Sequence, residues 1–217
     1  MEPKHRRIAE IALAAAGKYG LALAGGYAVR AHGMGNRRSG DVDLFTDWQR
    51  RADFPTAVQV VVKALENHGY TVTTSVANET FARLQVGKAG DPSAEPEKVE
   101  MSADWRSHPP VTLDIGPVLH PDDAVANKMG ALYGRALARD FLDIDAAVTS
   151  GQYSHERLLD LASASDAGFD LGLFADVLGV LNQITDAAFA VYDLDPSEIT
   201  AMRRRFAAWR AELQRQL

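Results

Sequence analysis

The hydrophobic pattern of the chain changes at Pro121, and this change constrains the fold more than any other feature of the sequence. Before Pro121, short runs of alternating apolar and polar residues predict strands between helical segments. After it, the apolar residues recur at helical spacing to the end of the chain. The sequence therefore predicts an α+β fold, with a small mixed β-sheet core and flanking helices over residues 1–119 and an all-helical C-terminal domain over residues 120–217.

The predicted elements follow from two periods, two residues for strands and between three and four for helices. Predicted strands cover residues 21–24, 41–45, 70–75, 80–86 and 99–105, with an extended piece at 111–119. Predicted helices cover residues 3–18, 54–67, 122–137, 140–149, 154–163, 171–188 and 196–216, and a further helix follows a glycine pair at residues 25–26. A solvated hairpin loop is predicted at residues 87–98.

The absence of cysteine narrows the chemistry that the chain can carry. A metal ion must have oxygen or imidazole ligands, so a hard cation such as Mg²⁺ or Mn²⁺ fits best. The apolar stretch at residues 8–16 is too short to span a bilayer, and no secretory pattern precedes it, which predicts a cytoplasmic protein without a membrane partner. The formal charge of −6 argues against a surface uniformly suited to nucleic acid, although local basic clusters remain available to an anionic partner.

Asp41 and Asp43 stand two residues apart in a predicted strand, so both carboxylates project from the same face. Such a pair can coordinate one or two Mg²⁺ ions that bridge a triphosphate. The alternative is the solvent-facing side of an edge strand, which is the commoner origin of an isolated Asp-x-Asp pattern.

Gly25 and Gly26 lie upstream, at a predicted strand-to-helix junction where backbone N–H groups can approach a phosphate. Between the two motifs, Arg37, Arg38 and Ser39 offer cationic and hydroxyl groups that could neutralise phosphate oxygens. Taken separately, the glycine pair could be only a turn and the arginines only a charged loop.

Taken in order, these motifs resemble the nucleotidyltransferase superfamily related to DNA polymerase β, and more closely its AbiEii and MenT group of toxins. The resemblance covers roughly residues 20–150 and rests on short segments that occur in the same order. These segments are Leu23-Ala24-Gly25-Gly26-Tyr27-Ala28-Val29, Arg38-Ser39-Gly40-Asp41-Val42-Asp43, Lys98-Val99-Glu100-Met101, Asp123 to Met129, and Arg139-Asp140-Phe141-Leu142-Asp143-Ile144.

Carried over by residue, the resemblance implies roles for particular side chains and predicts a nucleotidyltransferase core. The implied metal ligands are Asp41 and Asp43 with Glu100 as third carboxylate, for which Asp104 and Asp114 are competitors. The implied nucleotide-binding residues are Gly25, Gly26, Arg38 and Ser39. Lys128 and Asp143, contributed to the cleft by the helical domain, are implied catalytic residues together with the two aspartates.

Lys128 and Asp143 impose a geometric condition. On one continuous helix they would lie roughly 22 Å apart along the axis, too far to share a substrate. If both act in catalysis, the helix must break between Gly134 and Asp140. Asp140 is then predicted to be the N-cap of the second helix, with Asp143 three residues later.

The resemblance also implies a function. The chain would be the toxin of a toxin–antitoxin system, a monomer that adds NMP from an NTP, with a pyrimidine favoured, to the 3′ acceptor end of tRNA. This addition would block aminoacylation and translation, and a cognate antitoxin would be its partner. The alternatives are transfer to a small aminoglycoside-like molecule or to a protein hydroxyl. The basic C-terminal segment at residues 202–210 could contact RNA, but an amphipathic helix with buried aromatic residues is the commoner arrangement.

Overall fold

The computed structural model of the chain describes residues 1–90, 93 and 95–217. They form two compact units, of which the first comprises residues 1–32 and 38–124 and the second comprises residues 33–37 and 125–217. The strands are β1 (Ala22–Leu23), β2 (Asp41–Asp47), β3 (Tyr70–Ala77), β4 (Phe81–Lys88), β5 (Glu97–Asp104), β6 (Val111–Leu113) and β7 (Gly116–Val118). The helices are α1 (Pro3–Ala16), α2 (Gly25–Ala31), α3 (Phe54–Asn67), α4 (Pro121–Arg135), α5 (Ala138–Thr149), α6 (His155–Ser165), α7 (Leu171–Val180), α8 (Ala187–Ala190) and α9 (Pro196–Gln214).

The first unit is built on a mixed sheet with the strand order β3-β4-β5-β2-β1-β7-β6 among the described residues. The pairs β2–β5 and β1–β7 are parallel, and the other neighbouring strands are antiparallel. The predicted α+β class is confirmed. The extended piece predicted at residues 111–119 is a short antiparallel hairpin, β6–β7.

Apolar alternation determines which face of each central strand is buried. In β5, Val99, Met101 and Ala103 are buried while the residues between them are partly exposed, as the sequence predicted. Helix α3 begins and ends at the predicted residues, and its apolar positions pack in the unit core because they recur at helical spacing. Thus the polar face of β5 is left for functional side chains.

The second unit contains an aromatic core. Phe141 contacts Phe206 edge to face, with ring centroids 5.2 Å apart, and Phe174 contacts Trp209 in the same manner at 5.3 Å. Phe206 and Trp209 of α9 are buried, whereas Arg205 is exposed and donates two hydrogen bonds to the Asp145 carboxylate. The amphipathic interpretation of the C-terminal helix is therefore confirmed.

The prediction of a single helix over residues 171–188 is wrong. Helix α7 ends at Val180, and after a 3₁₀ turn and an extended residue, Ile184, the chain forms only the short helix α8. Arg203 of α9 donates a hydrogen bond to the Ile184 carbonyl at 2.7 Å and pairs with Asp186 at 2.6 Å. This tertiary contact stabilises the break by satisfying a carbonyl that a continuous helix would have bonded internally.

The loop between β4 and β5 is shorter than predicted, because β4 continues to Lys88 and β5 begins at Glu97. Residues 91, 92 and 94 of the predicted loop lie outside the described residues.

No helix among the described residues is both long enough and apolar enough to cross a membrane.

Candidate functional site

The register of three neighbouring strands gathers charged side chains on one face of the sheet. In the parallel pair β2–β5, Asp41 lies opposite Lys98 and Asp43 lies opposite Glu100. In the antiparallel pair β4–β5, Arg83 lies opposite Glu100. Because side chains two residues apart on a strand share a face, all five project on the same side. We call these five residues the carboxylate cluster.

The three acids of the carboxylate cluster have the geometry of a cation site. Asp41, Asp43 and Glu100 each offer an oxygen, and these oxygens lie within 4.8 Å of one another. Oxygen-only donors suit a hard divalent cation such as Mg²⁺ or Mn²⁺. Asp104 lies six residues further along β5 than Lys98, opposite Asp47, so it belongs to the far end of the strand pair.

Asp114, the other competitor for the third position, is exposed between β6 and β7. Within the described part of the chain, Glu100 is the acid that joins the aspartate pair.

Two cationic side chains hold the acids of the carboxylate cluster. The Lys98 Nζ lies 2.7 Å from Asp41 Oδ2 and 3.3 Å from Glu100 Oε1. The Arg83 Nε donates to the same Glu100 oxygen at 2.9 Å. Burial lowers the pKa of Lys98, but its hydrogen bond to Asp41 and the charges of both acids outweigh this effect and raise the pKa above its usual value. The cluster has three acids and two cations, so one formal negative charge remains.

The start of α2 approaches the Asp43 carboxylate closely. A Cβ atom on Gly25 would lie 1.7 Å from Asp43 Oδ2, and the backbone of Gly25 has a φ of +60°. Both facts require glycine here. The backbone fixes the same approach, because the Ala24 N–H donates to the Asp43 carbonyl at 2.8 Å. Gly26 follows in the first turn of α2.

Ser39 is buried beside Asp41, and its Oγ donates to Asp41 Oδ1 at 3.1 Å. A chain of hydrogen bonds leads inward from Ser39. Its carbonyl accepts from the Tyr27 hydroxyl at 3.2 Å, and that hydroxyl bonds to His5 Nδ1 at 2.6 Å. His5 Nε2 in turn lies 2.6 Å from Glu97 Oε2. The sequence interpretation gave His5 and Tyr27 no role, since their partners are remote in sequence.

A second set of possible metal ligands contains two histidines and one aspartate. His108 and His120 stack with ring centroids 4.2 Å apart, and Asp122 lies beside them. The Asp122 N–H donates to His120 Nδ1 at 3.2 Å. This hydrogen bond uses the lone pair of Nδ1, so that nitrogen does not serve a metal ion while the bond is made. The carboxylate cluster is the better cation site.

In the second unit, Lys128 and Asp143 meet. The Lys128 Nζ lies 2.9 Å from Asp143 Oδ2, and both side chains are almost fully buried. Arg37 binds the same carboxylate through two hydrogen bonds, of 2.8 and 2.9 Å. The sequence grouped Arg37 with the phosphate-neutralising residues, but its guanidinium is a partner of Asp143. We call Arg37 and Lys128, held by Asp143, the cation pair.

The cation pair depends on the predicted break between two helices. Helix α4 ends at Arg135 and α5 begins at Ala138, as the geometric condition required. Ala136 between them has a φ of 49°, a left-handed conformation that turns the chain back. This turn allows Lys128 of α4 to reach Asp143 of α5.

The prediction that Asp140 is the N-cap of the second helix is wrong. The N-cap is Leu137, and Asp140 occupies the third helical position, where its carboxylate accepts from the Leu137 N–H at 3.2 Å. Asp140 also pairs with Arg135 through two hydrogen bonds, of 2.9 and 2.8 Å. Helix α5 thus begins two residues before Asp140, and the ion pair with Arg135 compensates for the burial of the Asp140 carboxylate.

The charge of the cation pair is opposite to that of the carboxylate cluster. Burial raises the pKa of Asp143, but Lys128 and Arg37 outweigh burial and bring the pKa below its usual value. One carboxylate thus faces two cations, which leaves one formal positive charge. Arg38, the neighbour of Arg37, is exposed.

Comparison with known proteins gives a family and a fold. The family model described as "Nucleotidyl transferase AbiEii toxin, Type IV TA system" matches residues 9–217. No curated protein matches the chain at a significant level.

Solved structures of other proteins are similar to nearly the whole chain, among them the following two. A Helicobacter pylori protein, JHP933, is 19% identical with a TM-score of 0.55, and the match covers 98% of this chain and 92% of that protein. MenT4, a nucleotidyltransferase toxin from Mycobacterium tuberculosis, is 18% identical with a TM-score of 0.57, and the match covers 98% of this chain and 86% of that protein. At these identities the similarity shows a shared fold.

Proposed function

The chain belongs to the AbiEii nucleotidyltransferase toxin family, and from this membership together with the site geometry we propose that it transfers NMP from an NTP to the 3′ acceptor end of tRNA. It is a nucleotidyltransferase of a type IV toxin–antitoxin system, and the family implies an antitoxin partner. The observation that carries the proposal is the convergence of Asp41, Asp43 and Glu100 beneath the Gly25 turn.

In this proposal the carboxylate cluster holds the divalent cation, Mg²⁺ or Mn²⁺. Asp41 and Asp43 are the principal ligands, and Glu100 is the third carboxylate. The bound cation supplies positive charge to the α-phosphate and favours deprotonation of the attacking hydroxyl. We propose that Glu100 orients the acceptor hydroxyl for in-line attack and accepts its proton. The hydroxyl oxygen bonds to the α-phosphorus as the bond to the leaving pyrophosphate breaks.

The remaining site residues are proposed to bind the nucleotide. Gly25 and Gly26 present backbone N–H groups to phosphate oxygens, and Ser39 and Arg38 add a hydroxyl and a cationic group. In the helical domain at 120–217, Lys128 is proposed to neutralise the triphosphate as charge shifts to the pyrophosphate. Asp143 acts as a positioning residue, because it holds both Lys128 and Arg37.

The local charge is less acidic than a cationic acceptor would require. An aminoglycoside-like substrate requires a strongly acidic surface around the site. Here Lys98 and Arg83 lie among the three acids and neutralise most of their charge. We therefore prefer tRNA to a small cationic molecule as the acceptor, and with tRNA the reaction takes place in the cytoplasm.

The proposal is tested by incubating the protein with Mg²⁺, total tRNA and each of the four α-labelled NTPs in turn. We expect label on tRNA, with a pyrimidine nucleotide as the better donor, and no label with Asp41→Asn. Asp114→Asn is the matched control, since it removes one exposed carboxylate away from the carboxylate cluster and should leave labelling intact.

Three outcomes decide the proposal. Label on tRNA that depends on Asp41 supports it. Label that appears only on an added aminoglycoside or on protein would replace the acceptor while keeping the enzyme class. Absence of transfer from every NTP, with circular dichroism showing folded protein, would overturn the proposed reaction.

A further inference from the structure

Lys98 contacts two of the three acids in the carboxylate cluster. Its ammonium group lies 2.7 Å from Asp41 Oδ2 and 3.3 Å from Glu100 Oε1, which places a positive charge between two proposed ligands. The register fixes this position, because Lys98 lies opposite Asp41 and two residues before Glu100 on the same strand face.

The oxygen that Lys98 contacts matters for metal binding. Asp41 Oδ1 already accepts a hydrogen bond from the Ser39 hydroxyl at 3.1 Å. Lys98 contacts the other oxygen, Oδ2, so each oxygen of Asp41 has a hydrogen-bonding partner. Arg83 contacts Glu100, and no contact with Asp41 is seen for it among the described ion pairs. Lys98 is thus placed differently from the other cationic residue of the cluster.

We propose that Lys98 is an internal competitor of the divalent cation, which keeps metal affinity low until the triphosphate binds. The inference rests on the proposed function, because it takes Asp41 and Glu100 as metal ligands. With the ammonium group in place, a divalent ion meets one net negative charge and an occupied Asp41 oxygen. The triphosphate adds oxygen ligands and negative charge, so the nucleotide and the ion displace Lys98 together.

The residue type suits this exchange. The ammonium group is a compact charge on a flexible stem, and the Lys98 side chain is 34% exposed, so it can move toward solvent when displaced. Without it, three carboxylates would face a single guanidinium. Lys98 therefore also relieves repulsion among the acids in the metal-free protein.

The test measures Mn²⁺ binding directly, by calorimetry and by electron paramagnetic resonance of the free ion. Wild type, Lys98→Met, Lys98→Arg and Lys63→Met are titrated without nucleotide and again with saturating CTP. Lys63 is an exposed lysine on α3 in the same unit, so Lys63→Met controls for the loss of one positive charge. Circular dichroism establishes that each variant is folded, and Lys98→Gln provides a second uncharged side chain.

We expect Lys98→Met to bind Mn²⁺ at least about tenfold more tightly than wild type without nucleotide, because a cation within a few ångströms of the ion is removed. CTP should enhance Mn²⁺ affinity strongly in wild type and much less in Lys98→Met. Lys98→Arg and Lys63→Met should resemble wild type. In thermal melts, Mn²⁺ should stabilise Lys98→Met more than wild type.

The outcomes separate the inference from the proposed function. If wild type binds Mn²⁺ in a manner that Asp41→Asn abolishes, and Lys98→Met has the same or weaker affinity, competition by Lys98 is overturned while the proposed function stands. If neither form binds Mn²⁺ with or without CTP, both fail. Tighter binding by Lys98→Gln and Lys98→Met, with no gain in Lys63→Met, supports competition.

Discussion

In the carboxylate cluster three acids meet two cationic side chains on a partly buried sheet face, whereas in the cation pair one buried acid holds two cationic side chains. The first arrangement has a surplus of negative charge and suits a metal ion. The second has a surplus of positive charge and suits a phosphate. In the carboxylate cluster the two cations hold the three acids, and in the cation pair Asp143 holds the two cations. Substituting a residue whose charge is in excess and substituting a residue that holds the others should therefore have different consequences.

The largest effect is expected at Asp43, one of the three acids of the carboxylate cluster. Asp43→Asn should lower kcat/KM for nucleotide transfer by at least about 10³-fold, because a preorganised charge at the reacting phosphate is lost. The free energy of unfolding should change little, since the three acids repel one another and share only two cationic partners. Asp104→Asn, at the far end of the paired strands, is the matched control. A comparable loss of transfer in both variants would contradict the assignment.

The next effect is expected at Asp143, the carboxylate that holds the cation pair. Asp143→Ala leaves two buried cations without their carboxylate and should lower the free energy of unfolding by about 3–5 kcal/mol in urea titrations. Asp145→Ala, on the same helix, breaks the more exposed pair with Arg205 and should cost about 1 kcal/mol or less. Equal destabilisation by the two substitutions would remove the distinction between the two kinds of pair.

A smaller effect is expected at Lys128, one of the two cations of the cation pair. Lys128→Met should lower transfer about 10²-fold, because a charge proposed to bind the triphosphate is lost. The unfolding free energy should fall less than for Asp143→Ala, since Arg37 still binds Asp143 through two hydrogen bonds. Arg135→Met on the same helix should show the reverse pattern, with reduced stability and near-normal transfer. Transfer unchanged in Lys128→Met would exclude Lys128 from the site.

The smallest effect is a change in acid sensitivity. Because the native pKa of Asp143 lies below its usual value, its stabilising contribution is complete above the unfolded pKa, about 3.9, and is lost as the pH falls through the native pKa. Urea midpoints of wild type and Asp143→Asn should therefore differ at pH 7 and converge in strong acid. A difference that stays constant down to the lowest pH would show that the charge of Asp143 is not responsible.

Local pattern predicted the elements better than their interruptions. The bounds of α3 and the buried face of β5 follow from apolar periodicity, which depends on neighbours in sequence. The interruption between α7 and α8 escaped prediction because it is stabilised by Arg203, a residue of another helix. Asp140 likewise pairs with Arg135 of the preceding helix, and α5 begins at Ala138, two residues before Asp140.

For the candidate site, the sequence by itself determined the residue types and their order. Alternation placed Asp41 and Asp43 on one face of a strand, and the spacing of Lys128 and Asp143 required a break between two helices. The sequence left Glu100, Asp104 and Asp114 as alternatives. It gave no role to Lys98, Arg83 or Arg37 in holding an acid.

Only the tertiary structure decided which charges meet. The parallel register of β2 with β5 selected Glu100 and brought Lys98 to Asp41, and the turn at Ala136 brought Lys128 to Asp143. Strand register and helix reversal join residues tens of positions apart, and an electrostatic interaction depends on distance in space. Periodicity along the chain therefore predicts which face carries a charge, and the fold determines its partner.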